Sequence, residues 1–457
     1  MSDAQKFHFI AIGGSVMHNL AISLKTHGHQ VTGSDDDIKD PARANLIKHH
    51  LLPTDMGWHP DRIDNTVDAV ILGMHARKDN PELLKAQSIG IPIYSFPEFI
   101  FNQSIDKQRI VITGSHGKTT ITAIILHVLT FFKRKFDYVI GAAQDGLELS
   151  VQLSDAPIII IEGDEYPASP IDPTAKFLRF QHHVAIISGI AWDHANVFPN
   201  RELYNKQFEL LADATPKGGT LIYNNEDKTV EAIGKKERVD VQTIPYQTHP
   251  YKIENGVVYL VQTEGEHAPI QLFGNHNLQN ISAAKELLKK IGITSSQFYE
   301  ALPTFKGARG RLEKILEHNE TIVFKDFAHA PSKVKATTLA VKSLYPKRQL
   351  VGCLELHTFS SLNKNYLSEY TDSMKACDTA VVYFNPEVIN EKGLEPLDET
   401  IIKKAFNKQD LIVLNDTQAL ETYLSSLSWR GKNLLMMSSG HFNGLSIPAL
   451  AQKLKTE

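Results

Sequence analysis

The first hundred residues alternate short apolar runs, rich in β-branched side chains, with segments that have the apolar spacing of a helix. Residues 7–12 form an apolar run that ends in Gly13-Gly14, and a helical pattern then continues to about His27. A second short apolar run follows at 31–33. This succession predicts a βαβ unit at the start of the chain, with further strands at 69–73 and 91–94.

Similar runs recur in the rest of the chain. In the middle region, runs at 158–161, 184–187 and 220–223 are each followed by polar or glycine-rich residues, as expected of buried strands in a doubly wound sheet. A helical pattern at 277–292 closes this region, and polar stretches at 102–108 and 303–307 flank it. The last third repeats the alternation, with strands predicted at 321–324, 350–354, 380–384, 411–414 and 434–437.

The composition limits the class of protein. The chain of 457 residues is long enough for about three domains. Its 48 basic and 52 acidic residues give a formal net charge of −4, which provides no broad positive field for nucleic acid. Cys353 and Cys377 are too few for a disulfide framework, and no apolar run approaches the roughly 20 residues that span a bilayer. The composition therefore favours a cytoplasmic protein without nucleic-acid or membrane partners.

The most informative stretch lies at 109–120, where an apolar run ends in a glycine-bracketed turn and Lys-Thr-Thr opens a helical segment. Backbone N–H groups of such a loop converge on a polyphosphate, the lysine reaches the outer phosphates, and the first threonine can hold Mg²⁺. The spacing Gly-x-x-Gly-Lys-Thr-Thr is shorter than the general pattern, and a surface turn before a helix is the alternative. The candidate nucleotide-binding residues are Gly114, Ser115, His116, Gly117, Lys118, Thr119 and Thr120.

A second glycine turn, Gly13-Gly14-Ser15, follows the first predicted strand, and Asp35 ends the next one. This arrangement is typical of dinucleotide-type folds, in which glycines admit a phosphate and an acidic residue meets a ribose. The further glycine of that fingerprint is absent, which disfavours NAD. A nucleotide-sugar is the better fit to this turn.

Acidic residues and a histidine follow strands of the middle region. Glu162 and Asp164 come directly after the run at 158–161, and Asp193-His194 follows the next run. Active sites of doubly wound sheets lie beyond the carboxyl ends of the strands, and Mg²⁺ prefers oxygen ligands. Glu162 or Asp164 can therefore complete a magnesium site with Thr119, and an acidic solvated turn is the alternative. Residue type alone leaves His194 either a structural residue or a ligand.

These motifs occur in the order typical of one known family. The chain resembles the Mur ligases, ATP-dependent amide-forming enzymes of peptidoglycan synthesis, over essentially its whole length, and the short phosphate loop is the form that this family uses. In chain order, the other matching segments are Gly13-Gly14-Ser15-Val16-Met17, Val31-Thr32-Gly33-Ser34-Asp35, Asp79-Asn80-Pro81-Glu82, Glu162-Gly163-Asp164-Glu165, Asp193-His194, Gly274-Asn275-His276-Asn277-Leu278-Gln279-Asn280, Arg309-Gly310-Arg311-Leu312-Glu313 and Asp326-Phe327-Ala328-His329-Ala330-Pro331.

The resemblance implies an α/β protein of three domains. Residues 1–106 would form an N-terminal Rossmann-like domain that binds the UDP-sugar, and residues 107–304 a central P-loop ATPase domain with a doubly wound sheet. Residues 305–457 would form a C-terminal Rossmann-like domain that binds the acceptor. The same plan implies closure on substrate, because residues of the third domain must reach the central site.

The resemblance also implies roles for single residues. The expected catalytic residues are Lys118, His194, Arg311 and Asp326. Asn277 and Asn280 are the expected ATP contacts outside the loop, although a helix cap at 275–277 is an alternative, as is a turn position for Asp326. The expected Mg²⁺ ligands are Thr119, Glu162 and His194. The expected substrate-binding residues are Gly13, Gly14, Ser15, Asp35, His75, Asn80 and His329.

The implied reaction is phosphorylation of the carboxylate of UDP-N-acetylmuramate by ATP, followed by attack of an amine on the acyl phosphate. The amine belongs either to the tripeptide L-alanyl-γ-D-glutamyl-meso-diaminopimelate, in peptidoglycan recycling, or to L-alanine, in de novo synthesis. The segments Asp193-His194-Ala195, Arg311-Leu312-Glu313 and Asp326-Phe327-Ala328-His329 resemble those of tripeptide-adding members and favour the tripeptide. A monomer or a homodimer is expected.

Several positions depart from the tripeptide-adding pattern, among them His441 and Asn443, which replace smaller residues in a C-terminal glycine-rich loop. Ala330 replaces a second histidine, and Glu355-Leu356-His357 stands where an arginine is usual. Because an imidazole cannot reproduce the guanidinium fork, the third residue of the acceptor peptide stays open. A phosphotransferase and a binding protein without turnover are further alternatives. The matching C-terminal region disfavours the first, and the intact Lys118, Thr119, Glu162 and His194 disfavour the second.

Overall fold

The computed structural model describes residues 4–142, 144, 146–262 and 267–454. The chain forms two compact units. The first unit comprises Met1–Gly114, Ile121–Gly189 and Lys206–Tyr246, and the second comprises Ser115–Thr120, Ile190–Asn205 and Gln247–Glu457. The phosphate loop and the segment that contains His194 thus belong to the same unit as the C-terminal half of the chain.

The first sheet of unit one has four parallel strands in the order β2-β1-β3-β4. Its strands are β1 (Lys6–Ile10), β2 (Gln30–Ser34), β3 (Ala69–Leu72) and β4 (Ile93–Ser95), and its helices are α1 (Ser15–Thr26), α2 (Ala42–Lys48), α3 (Pro81–Ile89) and α4 (Phe96–Asn102). Ile10 pairs with Ser34 on one side and with Leu72 on the other. Apolar residues of β1, β3 and α3 form one buried core beneath this sheet.

The second sheet of unit one has seven strands in the order β13-β12-β11-β5-β8-β6-β7, all parallel except for the β6–β7 pair. Its strands are β5 (Gln108–Thr113), β6 (Asp137–Val139), β7 (Val151–Gln152), β8 (Ile158–Glu162), β11 (Val184–Ile187), β12 (Thr220–Asn224) and β13 (Gln242–Tyr246). A separate hairpin pairs β9 (Pro167–Ser169) with β10 (Asp172–Ala175). The helices of this region are α5 (Lys118–Phe131), α6 (Lys176–Arg179), α7 (Arg201–Asp213) and α8 (Lys228–Gly234).

The strand order places the phosphate loop at a switch point of this sheet. β8 and β6 lie on one side of β5, and β11, β12 and β13 lie on the other. Ligands of open α/β sheets bind beyond the carboxyl end of a strand at such a reversal. The loop that follows Thr113 therefore stands where a nucleotide site is expected.

Unit two contains a three-stranded antiparallel sheet and a six-stranded sheet in the order β17-β18-β22-β19-β20-β21. The first has β14 (Tyr251–Glu254), β15 (Val257–Val261) and β16 (His267–Ile270), and α9 (Asn275–Lys290) and α10 (Ser295–Ala301) follow it. The second has β17 (Glu313–His318), β18 (Thr321–Asp326), β19 (Gln349–Leu356), β20 (Thr379–Phe384), β21 (Ile412–Leu414) and β22 (Lys432–Met437). Its helices are α11 (Pro331–Leu344), α12 (Pro386–Glu391), α13 (Glu399–Phe406), α14 (Thr417–Ser426) and α15 (Ile447–Lys453).

The six-stranded sheet is parallel except at its edge, where β17 pairs antiparallel with β18. Its inner strands are almost wholly apolar and share a buried core with α14 and α15. Such continuous apolar runs are typical of strands that are covered on both faces.

The predicted α/β class is confirmed, and each strand predicted from an apolar run is present, with its ends within two residues of those expected. The patterns did not predict β6, β7, β9, β10, β13, β14, β15, β16 and β17. Many of these strands are short or lie at sheet edges, where half-exposed positions weaken the apolar signal. Among the described residues, no helix combines the length and apolar character needed to cross a bilayer.

Two alternative interpretations of the sequence are wrong: a helix cap at 275–277 and a turn position for Asp326. α9 begins at Asn275 after Gly274, and no side chain caps it, so the asparagines at 275–277 do not form a helix cap. Asp326 is the last residue of β18, within the sheet, and is not a turn residue after it. Neither the asparagines at 275–277 nor Asp326 therefore has the local capping or turn role that the sequence allowed.

Candidate functional site

The phosphate loop runs from β5 into α5. Gly114 and Gly117 have φ angles of +128° and +82°, a backbone region that favours glycine. A Cβ at Gly114 would lie 2.1 Å from Oγ of Ser188, so a side chain has no room there. Lys118, Thr119 and Thr120 form the first turn of α5, and the dipole of a helix attracts anions at this end.

Ser115 fixes the loop to the segment that precedes His194. Its hydroxyl oxygen lies 2.7 Å from the hydroxyl of Tyr204 and accepts a hydrogen bond from the backbone N–H of Ala191 at 2.9 Å. The residue is buried. The Ser115 side chain therefore has a structural function, and its backbone is the part that suits a phosphate.

Asn277 and Asn280 lie on α9 against the second glycine of the loop. A Cβ at Gly117 would lie 2.3 Å from Oδ1 of Asn280, which shows how closely the two residues approach. Nδ2 of Asn280 donates to Oδ1 of Asn277 at 3.3 Å, and Nδ2 of Asn277 donates to the backbone carbonyl of Phe273 at 3.0 Å. The amide pair predicted to contact ATP is thus held in a fixed orientation beside the loop.

Arg311 reaches the phosphate loop from the C-terminal half of the chain. Its Nη2 donates to Oγ1 of Thr119 at 3.3 Å, and Nη1 donates to the carbonyl of Gly310 at 3.3 Å. The guanidinium carbon lies 4.4 Å from the ring centroid of Phe327, a cation–π contact that keeps the group in one plane. In this structure Arg311 is therefore already at the loop and needs no further travel to reach it.

Asp193 is a buried carboxylate among basic side chains. Its Oδ2 lies 3.2 Å from Nζ of Lys333 and 3.7 Å from Nε2 of His329. Burial opposes ionisation of Asp193, but Lys333, His194 and His329 together hold the pKa of this carboxyl well below its usual range. Asp193 therefore carries a full negative charge.

His329, a predicted substrate residue, is uncharged in this cluster. Burial, reinforced by the ammonium of Lys333, lowers the pKa of His329 to about 3 despite the nearby Asp193. Nδ1 of His329 lies 2.9 Å from the backbone carbonyl of Phe327. The hydroxyl of Tyr370 donates a hydrogen bond to the backbone carbonyl of His329. Lys333, not His329, is thus the ionic partner of Asp193.

His194 lies in a tight turn with a left-handed backbone, at φ +57°. Its carbonyl accepts from the N–H groups of Val197 at 2.8 Å and Phe198 at 2.9 Å. Two residues of the C-terminal half hold the flanking backbone: Ser360 accepts from the N–H of Ala195 at 3.0 Å, and Tyr366 donates to the carbonyl of Trp192 at 2.7 Å. The turn is therefore fixed from outside as well as from within.

Asp326 lies at the carboxyl end of β18 and is buried. Its carbonyl accepts from the N–H of Ser438 at 3.0 Å, which joins the ends of β18 and β22. Burial lowers the pKa of His276, and the Asp326 carboxylate opposes that effect. Asp326 therefore lies close enough to α9 to influence His276.

The N-terminal candidates surround the turn after β1. The N–H of Gly13 donates to Oδ2 of Asp35 at 2.7 Å, and burial raises the pKa of Asp35. Gly14 precedes α1, which Ser15 opens. Asn80 is buried, and its Oδ1 caps α3 by accepting from the N–H groups of Glu82 and Leu83, a structural role that the sequence did not indicate. His75 is exposed shortly after β3.

The acidic candidates of unit one follow β8. Glu162 ends that strand, and its Oε2 accepts from the N–H of Gly141 at 2.8 Å. Asp164 forms an ion pair with Lys176 at 3.0 Å. Glu162 and Asp164 both offer carboxylate oxygens, the donors that Mg²⁺ prefers.

A model of the Mur ligase family catalytic domain matches residues 6–102, and a model of the Mur ligase middle domain matches residues 112–288. The UDP-N-acetylmuramate–L-alanine ligase of Caldicellulosiruptor bescii is 30% identical over 389 residues, which cover 82% of this chain and 83% of that protein. The chain belongs to the Mur ligase family. It is therefore an ATP-dependent, ADP-forming ligase of peptidoglycan metabolism.

Mur ligases of two named specificities are similar to this chain. The UDP-N-acetylmuramate–L-alanyl-γ-D-glutamyl-meso-2,6-diaminoheptandioate ligase of Escherichia coli is 26% identical over 449 residues, 96% of each chain. A murein peptide ligase from Psychrobacter arcticus covers 99% of this chain and 99% of its own, with a TM-score of 0.67 and 21% identity. A UDP-N-acetylmuramate–alanine ligase from Thermotoga maritima covers 98% of both, with a TM-score of 0.70 and 20% identity. The two structures share the fold.

In this Mur ligase, sequence reasoning missed the residues that support the predicted ones. Lys333 lies four positions after His329 on the next helix, yet no motif marked it. Ser360, Tyr366 and Tyr204 are also absent from the predicted site. Hydroxyl groups that bind backbone leave no sequence signal, because their partners lie far away in the chain.

Proposed function

We propose that this Mur ligase joins the carboxylate of UDP-N-acetylmuramate to the amine of L-alanyl-γ-D-glutamyl-meso-diaminopimelate, through an acyl phosphate and in peptidoglycan recycling. ATP phosphorylates the carboxylate, and the free α-amine of the peptide then displaces phosphate. The contact between Arg311 and Thr119 is the observation that carries the ATP-dependent step, since it brings a cation from the C-terminal half to the phosphate loop.

The residues of the loop suit phosphoryl transfer. Charge develops on the equatorial oxygens of the transferred group, and catalysis consists mostly of positioning and neutralisation. Lys118, at the start of α5, and Arg311 are the cations that we assign to this work, with Asn277 and Asn280 binding the nucleotide beside Gly117. Asp326 would orient the ligands from the end of β18.

We assign Mg²⁺ to this reaction as well. Thr119 offers a hydroxyl and His194 an imidazole, and Glu162 offers a carboxylate at the end of β8. Oxygen donors with one imidazole nitrogen are compatible with a magnesium ion that keeps several waters. When bound, the ion would neutralise the phosphates and the muramate carboxylate. Thr119, His194 and Glu162 would hold the ion between the ATP phosphates and the muramate carboxylate.

We propose three domains for these tasks. Residues 1–106 would bind the UDP-sugar, with Gly13, Gly14, Ser15, Asp35, His75 and Asn80 around the first glycine turn. Residues 107–304 would bind ATP, and residues 305–457 would bind the acceptor, with His329 near the incoming amine. The turn geometry of Gly13 and Asp35 supports the first assignment, because a side chain at Gly13 would approach Asp35 Oδ2 to 2.9 Å.

The tripeptide is supported by three segments, namely Asp193-His194-Ala195, Arg311-Leu312-Glu313 and Asp326-Phe327-Ala328-His329, which resemble tripeptide-adding members. L-Alanine is the second candidate acceptor. It is favoured by the 30% identity to the Caldicellulosiruptor bescii enzyme, against 26% for the Escherichia coli enzyme. Specificities of related enzymes often depend on few contacts, so overall identity does not decide between the two.

The deciding experiment measures phosphate release with ATP, Mg²⁺ and UDP-N-acetylmuramate, with either acceptor at matched concentration. We expect turnover with the tripeptide and little with L-alanine, and mass spectrometry should detect the amide product. The reverse preference would replace the tripeptide by L-alanine. Phosphate release that needs no amine would point to a phosphotransferase instead. The Lys118→Ala variant serves as the inactive control.

A further inference from the structure

Lys333 has no assigned function, yet it supplies the charge that stabilises a buried carboxylate of the site. The Asp193 side chain is only 4% exposed, and the Lys333 ammonium lies 3.2 Å from its Oδ2. His329 is uncharged near neutral pH, because burial lowers its pKa to about 3. Nδ1 of His194 lies farther away, 3.9 Å from Oδ1. Lys333 is therefore the cation that balances Asp193.

The same carboxylate controls the backbone of the next residue. Oδ1 of Asp193 accepts the N–H of His194 at 2.7 Å, while Oδ2 faces Lys333. His194 has a left-handed backbone, which is uncommon in residues other than glycine. Such a conformation persists only where the surroundings enforce it. The two oxygens of Asp193 thus link the ammonium on one side to the strained turn on the other.

We propose that Lys333 is a positioning residue. It holds the Asp193 carboxylate, which in turn keeps the backbone and imidazole of His194 in place for the amide-forming reaction. The proposal rests on the proposed function only in taking His194 to serve the reaction. Among the described residues, the side-chain hydrogen bond and ion pair of Lys333 are both with Asp193. It acts through Asp193.

The position of Lys333 in the fold explains how it can affect the turn at His194. It lies in the first turn of α11, and Ala330, which precedes that helix, follows directly on His329. The turn at His194 is also tied to Ser360 and Tyr366, but both of those bonds reach the flanking residues Ala195 and Trp192. Only the Asp193–Lys333 pair acts on the N–H of His194 itself among these described contacts. Without the Lys333 ammonium, the buried carboxylate of Asp193 would lose the contact that fixes its orientation, and the bond to the N–H of His194 would weaken.

The test compares Lys333→Met, Lys333→Arg, Asp193→Asn and the double variant Lys333→Met/Asp193→Asn. Lys335→Met is the matched control, because Lys335 is an exposed lysine on the same helix. Hydrogen exchange of the peptide that covers 192–198 is measured without any substrate. Ligation is measured in parallel as kcat and as KM for ATP, and the Mg²⁺ dependence of turnover is recorded.

We expect Lys333→Met to speed exchange at 192–198 by roughly tenfold and to lower kcat by a factor on the order of 10², since small displacements of a ligand group carry such costs. KM for ATP should change little, and more Mg²⁺ should be needed for half-maximal turnover. Lys333→Arg should retain most of the activity. The double variant should recover much of what Lys333→Met loses, because an amide at 193 needs no counter-charge and still accepts from His194.

Equal behaviour of Lys333→Met and Lys335→Met in both assays would overturn the proposal. So would a double variant that is folded by circular dichroism and yet as impaired as Lys333→Met, since Lys333 would then act independently of Asp193. If the unaltered enzyme ligates neither acceptor, the proposed function fails. The exchange rates still decide whether Lys333 positions the His194 turn.

Discussion

Nη2 of Arg311 donates a hydrogen bond to Oγ1 of Thr119 across 192 residues of chain. The bond places a guanidinium on the hydroxyl that is expected to meet Mg²⁺. Phe327 stacks on the same guanidinium and limits its orientations. A divalent cation held by Thr119 would repel Arg311, and the guanidinium would then be available to the phosphates of a bound nucleotide.

Replacing Arg311 by lysine should lower kcat by a factor on the order of 10², because an ammonium loses the planar fork and the stack on Phe327. KM for the acceptor should change much less. The measurement is steady-state phosphate release, with Arg309→Lys as the control at an exposed arginine two positions earlier. Equal kcat for Arg311→Lys and the unaltered enzyme would remove Arg311 from the phosphoryl-transfer step.

Replacing Lys118 by alanine should lower turnover by a factor on the order of 10³ or more, since preorganised charge at the phosphates is lost. The melting temperature should change little, because the residue opens α5 and alanine is a good helix former. Differential scanning calorimetry measures the melting temperature, and phosphate release measures turnover. Retained turnover would show that the loop does not act on the transferred phosphate.

Replacing Gly117 by alanine should abolish ATP binding. The new Cβ would lie 2.3 Å from Oδ1 of Asn280, and φ is +82° there. Gly292→Ala is the matched control, because Gly292 has a φ of +85° with nothing within 4 Å of its added Cβ. The control should lose only about 1 kcal/mol of stability through backbone strain and should still bind ATP. Similar binding by the two variants would mean that Asn280 does not constrain the loop.

Stability should fall as the pH drops below about 6.5, the ordinary pKa of histidine. Burial lowers the pKa of His182 to about 4 and that of His329 to about 3, so both are neutral in the folded chain and take up protons on unfolding. Below pH 6.5 the unfolded state binds more protons than the folded state. The loss of stability therefore continues as the pH falls towards the pKa values of the folded chain. Each such proton contributes a slope of about 1.4 kcal/mol per pH unit.

The slope is measured by urea denaturation between pH 7.5 and about 4.5, within the range set by these shifts. His182→Asn should reduce the slope, since asparagine does not titrate. His267→Asn, at an exposed position, is the control and should leave the slope unchanged. An identical slope in His182→Asn would show that His182 is not the group responsible.

Much of the fold could be predicted from local patterns. Runs such as 184–187 are apolar at every position because both faces of the sheet are covered, and the observed strand is Val184–Ile187. The phosphate loop was predictable because its glycines and lysine are adjacent in sequence. Short strands such as Val151–Gln152 could not be predicted, because two residues carry no periodic signal.

The sequence by itself determined the α/β class, the main strands and the residues of the phosphate loop, because each depends on neighbours along the chain. Only the tertiary structure decided which distant groups meet: Arg311 with Thr119, Asn280 with Gly117 and Lys333 with Asp193. It also showed that Asn80 caps a helix and that His329 is uncharged. Such pairings and charge states follow from burial and from the return of separate strands to one sheet edge, which local patterns do not encode.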